Sequence, residues 1–303
     1  MTVRTGENSP AENKDTLRGL LFAVTAYVLW GGLPLYMMLL STIPPFEVVA
    51  HRVIWSVPVA AAVLIMLGRT QDIMTMLGSP RMLGMGLTSG VFLSINWAIF
   101  IWAIFNDRAL DASLAYYISP LFSVLLGALV LRERLTAAQI LAVAIAAAAV
   151  LALAIAGGAV PWAALGMTIS WGFYALCKKQ LPIGPNQGFL LEVLVLTPPA
   201  LAYILWIGVT GTGVFLTAPD ISWLLIGAGV VTAVPLIFYA NGAKGLRLST
   251  IGVLQYIAPT LIMIVAITFL GEEFTLARKI AFPMIWTALI IYSWSMLRAL
   301  RAA

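Results

Sequence analysis

The sequence has very few charged residues. Only 10% of its 303 residues are Asp, Glu, Lys or Arg, whereas 62% are hydrophobic. Its mean hydropathy of +1.01 lies far above the range of water-soluble domains. This composition excludes an ordinary soluble protein and indicates that lipid is the main solvent of the chain.

The sequence also has only one cysteine, Cys177, and one histidine, His51. A single cysteine excludes an intramolecular disulfide. A single histidine excludes an H-E-x-x-H motif and a multi-histidine metal cluster. Because the P-loop motif G-x-x-x-x-G-K-[ST] is also absent, the chain lacks the residues for direct ATP drive. We therefore expect no enzymatic activity, metal, cofactor or ATPase subunit.

Long apolar runs fill the sequence, and charged or Gly/Pro-rich breaks separate them. Only helices satisfy the backbone of such runs in a bilayer, and each crossing needs about 20 residues. The sequence therefore predicts an all-α integral membrane protein with ten transmembrane helices. The predicted spans lie near residues 19–40, 45–67, 84–105, 112–131, 137–156, 159–178, 189–209, 221–243, 248–270 and 280–297.

The basic residues predict how these spans are oriented. With the amino terminus in the cytoplasm, thirteen of the 17 Lys and Arg residues lie on the cytoplasmic side. Only Arg108, Arg278 and Lys279 lie outside, and Arg52 lies within a span. Basic residues in short loops are retained in the cytoplasm, so the asymmetry supports ten spans with both termini inside. The scattered positive charge predicts membrane topology and no nucleic-acid partner.

The two halves of the sequence resemble each other. At an offset of 139 residues, Tyr117, Pro120 and Glu133 coincide with Tyr256, Pro259 and Glu272 without a gap. At an offset of 141, Trp30-Gly31 coincides with Trp171-Gly172. Five spans is an odd number, so the second repeat must enter the membrane from the opposite face. The sequence therefore predicts four parts. They are a cytoplasmic N-terminal tail (1–18), a first five-helix repeat (19–156), a second, inverted five-helix repeat (159–298) and a cytoplasmic C-terminal tail (299–303).

Inverted repeats are typical of carriers, because two equivalent halves can exchange conformations around a site near the membrane midplane. A duplication retained only for packing is the alternative. The repeat therefore predicts a secondary transporter that works by alternating access.

Charged groups inside spans require a partner or a water-filled cavity. Arg52 lies about 10 Å into the second span, where it or His51 is suited to bind an anion such as a substrate carboxylate. The alternative is a structural pair of Arg52 with Glu47 or with backbone carbonyls. Glu192, in the seventh span, is suited either to accept a proton or to sit near the interface.

Other polar, aromatic and proline residues inside spans complete the candidate site. The predicted substrate-binding residues are Tyr27, Trp30, His51, Arg52, Asn96, Tyr117, Trp171, Tyr174, Tyr239, Gln255 and Tyr256. Ser113, Tyr117 and Pro120 share a helical face, which we expect to look inward, as does its equivalent in the ninth span. Proline frees backbone groups that a cavity can use. The predicted hinges are Pro34, Pro120, Pro235 and Pro259.

The sequence resembles the drug/metabolite transporter superfamily, specifically the EamA-domain carriers of the RarD type, which include YddG-like amino-acid exporters. The resemblance covers essentially the whole chain and implies ten helices in two pseudosymmetric halves around a central cavity. It does not imply one cargo. It is carried by Ala26-Tyr27, Trp30-Gly31, the segment 51–56, Asn96-Trp97, and the segments 117–120, 132–134, 246–250, 255–257 and 259–260.

Together these observations predict an exporter of small organic metabolites in the inner membrane of a bacterium. Neutral or aromatic amino acids are the leading substrate class, and this part depends on the resemblance. A flippase for lipid-linked or hydrophobic-drug substrates is the first alternative, and an intramembrane structural or receptor protein is the second. We expect a monomer or weak dimer whose partners are the bilayer and a small solute. The sequence identifies neither the exact substrate nor a coupling ion.

Overall fold

A computed structural model describes residues 16–130, 135–157, 160–244, 246, 250–251 and 254–302. The predicted tail up to residue 15 and the segments 131–134 and 247–249, which carry part of the resemblance, lie outside these ranges. Within them the chain is helical, with no strand. The helices are α1 Leu17–Met38, α2 Pro45–Met66, α3 Gln71–Leu77, α4 Pro80–Phe105, α5 Ala109–Val130, α6 Ala137–Gly157, α7 Trp162–Gln180, α8 Pro185–Val209, α9 Pro219–Lys244, α10 Ile257–Thr268 and α11 Leu276–Ala302.

Ten of the described helices overlap the ten predicted spans, and the all-α fold is confirmed. Eight of them are long and apolar enough to cross a bilayer. The other two are α7, which is less apolar, and α10, which has only 12 residues. The short helix α3 was not predicted. It forms in the loop between the second and third spans, where Met76 is buried against Leu181 and Leu191.

Helix starts follow local rules. The Thr16 side chain accepts a hydrogen bond from the Gly19 amide at 3.0 Å and caps α1. The helices α2, α4, α8 and α9 each begin with a proline, whose missing N–H is not needed in the first turn. These capping and proline signals determine the residue at which each of these helices begins.

The ninth predicted span is interrupted. Residues 255–256 form a turn, and α10 begins only at Ile257. Pro259 explains the break, because it has no N–H for the carbonyl of Gln255 and its ring crowds that carbonyl. Pro34, Pro120 and Pro235 instead lie inside continuous helices.

The helices pair mainly between the halves of the chain. α1 and α2 pack against α9, whereas α4 and α5 pack against α7, and α6 packs against α11. Both α2 and α4 also pack against α8, and α10 packs against both α1 and α5. Exchanging α1, α2, α4, α5 and α6 for α7, α8, α9, α10 and α11 converts this set of pairs into itself. The packing therefore follows the sequence repeat, and the two halves interleave.

Glycines permit the closest approaches between the halves. A side chain at Gly31 would meet Leu261, and one at Gly172 would meet Phe122 and Leu126. Phe122 and Leu261 are 139 residues apart, so the repeat relates these two contacts. Gly229 is more tightly placed, because a Cβ atom there would meet the backbone of Trp55 and Ser56.

We predict that Gly229→Ala destabilises the protein, since rigid backbone at α2 leaves no space for a methyl group. Overpacking of this kind costs about 1–3 kcal/mol. The measurement is the midpoint of thermal unfolding in detergent. Gly32→Ala is the matched control, because nothing lies within 4 Å of the added atom. Equal midpoints for the two variants would contradict the tight α2 to α9 contact.

Candidate functional site

Arg52 is the central charge of the candidate site. It lies on α2 and is 3% exposed. Its Nε donates a hydrogen bond to the Thr232 hydroxyl of α9 at 2.9 Å. Its Cζ lies 4.4 Å from the centroid of the Trp97 ring of α4, and Tyr116 of α5 is within electrostatic range. Four helices from both halves therefore meet at this guanidinium.

This guanidinium lacks a counter-ion. No carboxylate of the described residues lies within salt-bridge distance of Arg52, and its Nη1 is buried without an acceptor there. An uncompensated buried charge costs several kcal/mol. A desolvated cation–π contact offsets about 2 kcal/mol of this cost, and one hydrogen bond offsets less. The deficit makes this position suited to an anionic ligand group.

Glu47 does not supply the missing charge, because its described hydrogen bonds lead elsewhere. Its Oε1 instead accepts from the backbone amides of Val214 and Phe215, at 2.9 and 3.2 Å. The Phe215 ring lies 4.6 Å from that of His51. The His51 Nδ1 accepts a hydrogen bond from Trp55 Nε1 at 3.1 Å, which makes His51 part of a packed aromatic layer between Arg52 and the loop before α9.

Asn96 joins α4 to α7. Its side-chain amide donates to the Met167 carbonyl at 2.9 Å and to the Ser170 hydroxyl at 3.2 Å. Its Oδ1 is buried without a partner among the described residues. Asn96 is adjacent in sequence to Trp97, so these bonds also fix the ring that covers Arg52.

Aromatic rings lead from Arg52 toward the other end of the site. Tyr116 contacts Trp171 at 6.5 Å between centroids, and Trp171 contacts Tyr174 at 5.3 Å. We call Tyr116, Trp171 and Tyr174 the aromatic path. A second cluster formed by Tyr27, Trp30 and Tyr239 lies beside it, with centroids 5.6 to 5.9 Å apart. Such rings suit the apolar part of an amphipathic solute.

The far end of the path carries a buried ion pair. Glu192 of α8 is 0% exposed, and its Oε1 lies 3.0 Å from Lys178 Nζ of α7. The Ser89 hydroxyl donates to the same carboxylate at 2.8 Å, and the Tyr174 hydroxyl donates at 3.4 Å. Both ends of the aromatic path therefore hold a buried charge.

Tyr117 and Tyr256 face each other across the halves. Their rings stack at 6.3 Å, the Tyr117 hydroxyl lies 2.6 Å from that of Thr260, and the Ser113 hydroxyl donates to the Pro259 carbonyl. The predicted inward faces of α5 and α10 thus pack on one another. Gln255 lies in the turn before α10.

Sequence reasoning did not select three contributors to the site. Thr232 and Ser89 form hydrogen bonds with the two buried charges, and Tyr116 is within electrostatic range of Arg52. Each of the three lies in an apolar run without a local signal. The charges themselves were selected, because charged groups inside spans require a partner or a cavity.

Two carboxylates form hydrogen bonds between the two halves. They lie at the end of the helix bundle that the charge pattern predicts to face the outside. Glu47 binds the loop before α9, as described above. Glu272, in the loop after α10, accepts hydrogen bonds from the backbone amides of Ala109 and Leu110 at the start of α5. We call these two contacts the outer clamps. Each joins one half to backbone of the other.

Charges surround the second clamp. Arg278 lies 3.2 Å from the Asp111 carboxylate and 3.8 Å from that of Glu272. Burial raises the pKa of Glu272, and the two backbone amides and Arg278 oppose this rise. The Glu272 clamp therefore loses its charge at a higher pH than an exposed glutamate does.

Cavities are found away from the buried charges. One of about 510 Å³ lies between Met76, Met82 and the turn from Leu181 to Gly184. Another of about 210 Å³ lies between α2, α4 and α8, and its lining is apolar. Arg52 and Glu192 line neither of these two cavities, and at 3% and 0% exposure both side chains are shielded from bulk water.

Comparison with known proteins now decides the family. Residues 17–155 match the EamA-like transporter family. The chain is 40% identical over 294 residues to an uncharacterized transporter of Vibrio cholerae serotype O1, covering 96% of this chain and 97% of that protein. It is 38% identical over 280 residues to the protein RarD of Escherichia coli (strain K12), covering 92% and 95%. The chain belongs to the EamA-like transporter family.

A further relative and a solved structure are also similar to this chain. The chloramphenicol-sensitive protein RarD of Pseudomonas aeruginosa is 31% identical over 288 residues, covering 94% of this chain and 96% of that protein. A crystal structure with 22% identity has a TM-score of 0.60 and covers 90% of this chain and 96% of the other. The EamA resemblance predicted from sequence is confirmed, and this EamA-like protein is a multi-pass membrane transporter.

We predict that Glu272→Gln loosens the second outer clamp, because an amide side chain has one acceptor oxygen where the carboxylate has two. Loss of a hydrogen bond to a charged group costs about 1.5–3 kcal/mol, so amide exchange at Ala109 and Leu110 should accelerate roughly tenfold or more. Hydrogen–deuterium exchange in nanodiscs measures this. The neighbouring exposed Glu273, changed to Gln, is the matched control. Unchanged protection in Glu272→Gln would contradict the clamp.

Proposed function

We propose that this EamA-like transporter exports amino acids, neutral or aromatic, by alternating access around Arg52. The observation that carries the proposal is the guanidinium without a carboxylate partner among the described residues. A substrate carboxylate matches it, because guanidinium binds carboxylate with two parallel hydrogen bonds. The aromatic path accommodates the side chain of such a solute.

Burial of the site supports alternating access. Arg52 and Trp97 are 3% and 7% exposed, so a solute reaches them only after helices move apart. The interleaved halves provide the surfaces that separate, and inverted repeats are the usual basis of such movement. In the conformation described above, the outer clamps hold one end closed.

Export of hydrophobic drugs is the alternative function. One relative carries chloramphenicol sensitivity in its name. A neutral drug would use the aromatic path without the charge of Arg52. Substrates with and without a carboxylate therefore distinguish the two functions.

We predict that purified protein in liposomes transports phenylalanine or leucine and that the matching amino alcohols, which lack the carboxylate, do not compete. Arg52→Gln should raise the half-saturating concentration roughly 10- to 100-fold, the loss expected for about 1.5–3 kcal/mol. Arg52→Lys should recover only part, since the ammonium group has no planar fork. The measurement is counterflow of radiolabelled amino acid.

Arg81→Gln is the control for this series, because Arg81 is an exposed residue at the start of α4. Equal competition by amino acid and amino alcohol would contradict carboxylate recognition. Transport of chloramphenicol alone, unaffected by Arg52→Gln, would assign the protein to drug export. Rates equal to empty liposomes for every compound would end the transport proposal.

We further propose that the protein lies in the bacterial inner membrane with both termini in the cytoplasm. The excess of basic residues in alternate loops supports this orientation. A cysteine added after Ala303 in a Cys177→Ser background should react with an impermeant maleimide only after the cells are permeabilised. A cysteine replacing Thr217, an exposed residue in the loop before α9, should react in intact cells. The reverse result would invert the topology.

A further inference from the structure

The outer clamp at Glu47 has a counterpart in the second half of the chain. At an offset of 140 residues, three residues of α2 coincide with three of α8, namely Pro45, Glu47 and Arg52 with Pro185, Gln187 and Glu192. Glu47 and Gln187 are thus each the third residue of a helix that begins with proline. Because the repeat is inverted, Gln187 lies at the opposite end of the bundle from Glu47.

The segments that face these two residues also correspond. Glu47 accepts hydrogen bonds from the amides of Val214 and Phe215, in the loop before α9. α4 and α9 begin at an offset of 139 residues, and the same offset takes Val214 and Phe215 to Thr75 and Met76 of α3. The short helix α3 is therefore the inner equivalent of the loop that the outer clamp holds.

Packing at the two ends supports this correspondence. The Phe215 ring lies 4.6 Å from that of His51 on α2. The equivalents of these two residues are Met76 and Leu191, which are fully buried in one hydrophobic cluster. α3 therefore packs on α8 in the way that the outer loop packs on α2.

The hydrogen bonds of the clamp are missing at the inner end. Gln187 is 5% exposed, and its Oε1 is buried without a hydrogen-bond partner in the part of the chain that is described. This oxygen lies against Gly184, where a Cβ atom would be 2.5 Å from it. Gly184 and Thr75 both line the cavity of about 510 Å³. A cavity therefore lies where the outer end has a hydrogen-bonded contact.

Thr75 is suited to supply the missing donor. It carries the one polar side chain among the described residues that line this cavity, and it is exposed there. The ammonium group of Lys178 is engaged elsewhere, because it lies beside Gly188 and pairs with Glu192 at 3.0 Å. A buried acceptor without a partner is unfavourable, so closing the cavity onto the Thr75 hydroxyl would remove this cost.

We propose that Thr75 and Gln187 form an inner clamp when the inner end of the bundle closes, with the Thr75 hydroxyl donating to Gln187 Oε1. The inference rests on the alternating access of the proposed function. The inner clamp forms as the outer clamps open. An amide oxygen is a weaker acceptor than a carboxylate, so the inner clamp is the weaker of the two. The protein therefore rests with its inner end open, as in the conformation described above.

The test locks the inner end shut and observes the outer end. Full-length protein with Cys177→Ser, Thr75→Cys and Gln187→Cys is oxidised in nanodiscs. A disulfide should form, which requires Cα atoms about 4.4–6.8 Å apart. Amide exchange at Val214 and Phe215 should then accelerate roughly 10- to 1,000-fold, because a minor state of about 0.1–10% becomes the main one. Reduction should restore the original exchange rate.

Met74→Cys with Gln187→Cys is the matched control, because Met74 is 80% exposed and does not line the cavity. It should leave the amides of Val214 and Phe215 protected. A Thr75 to Gln187 disulfide with these amides still protected would overturn the coupling of the two ends. Failure of this pair to cross-link in protein that still performs counterflow would overturn the inner clamp.

A second variant tests the clamp without a disulfide. Gln187→Glu gives the inner end a carboxylate acceptor, so exchange at Val214 and Phe215 should accelerate roughly 5- to 10-fold. Adding Thr75→Val, which has a similar shape without the hydroxyl, should cancel this gain. A gain that survives in the double variant, or no gain in a folded Gln187→Glu variant, would overturn the proposal. Unfolding midpoints in detergent establish that the variants are folded.

The exchange measurements need no substrate, so they judge the inner clamp separately from the transported solute. Absence of amino-acid counterflow in the wild type would refute the proposed function. The inner clamp fails instead if the wild type performs counterflow and the locked protein keeps its outer amides protected.

Discussion

A buried charge without a counter-ion imposes the main constraint on this structure. The Arg52 guanidinium is held by one hydroxyl and one aromatic face, from Thr232 and Trp97. Together these contacts compensate only part of the several kcal/mol that burial costs. Hydrophobic packing of the surrounding helices must therefore supply the difference. The helices that supply it, α2, α4, α5 and α9, come from both repeats, so the site exists only when the halves are interleaved.

Interleaving determines how such a protein can move. Because most helix pairs join one half to the other, opening the site at one end must slide these pairs and cannot simply separate two independent bundles. The contacts of Gly31 with Leu261 and of Gly172 with Phe122 are related by the repeat. At both positions a side chain of the other half packs into the space that the missing Cβ atom leaves. The outer clamps add directional hydrogen bonds between the halves at one end of the bundle.

The sequence predicted the helices well because bilayer physics leaves few alternatives for long apolar runs. It predicted the partners of the charges poorly. Arg52 and Thr232 are 180 residues apart, and no local pattern connects them. On α5, Tyr117 was selected and Tyr116 was missed, although Tyr116 is within electrostatic range of Arg52. Adjacent residues on a helix point about 100° apart, and α5 is buried on several sides, so hydropathy does not distinguish its faces.

The two halves of the chain are related by a repeat, and this explains why the difference between their buried charges matters. If the two repeats were identical, the states open to either side would have equal free energy, because exchanging the halves would interconvert them. The sequence breaks this equality at equivalent positions, with an uncompensated cation at Arg52 and a compensated anion at Glu192. A ligand that neutralises Arg52 therefore acts on only one of the two halves. A ligand shifts such an equilibrium only through its different affinity for the two states, and these two charges are where that difference can arise.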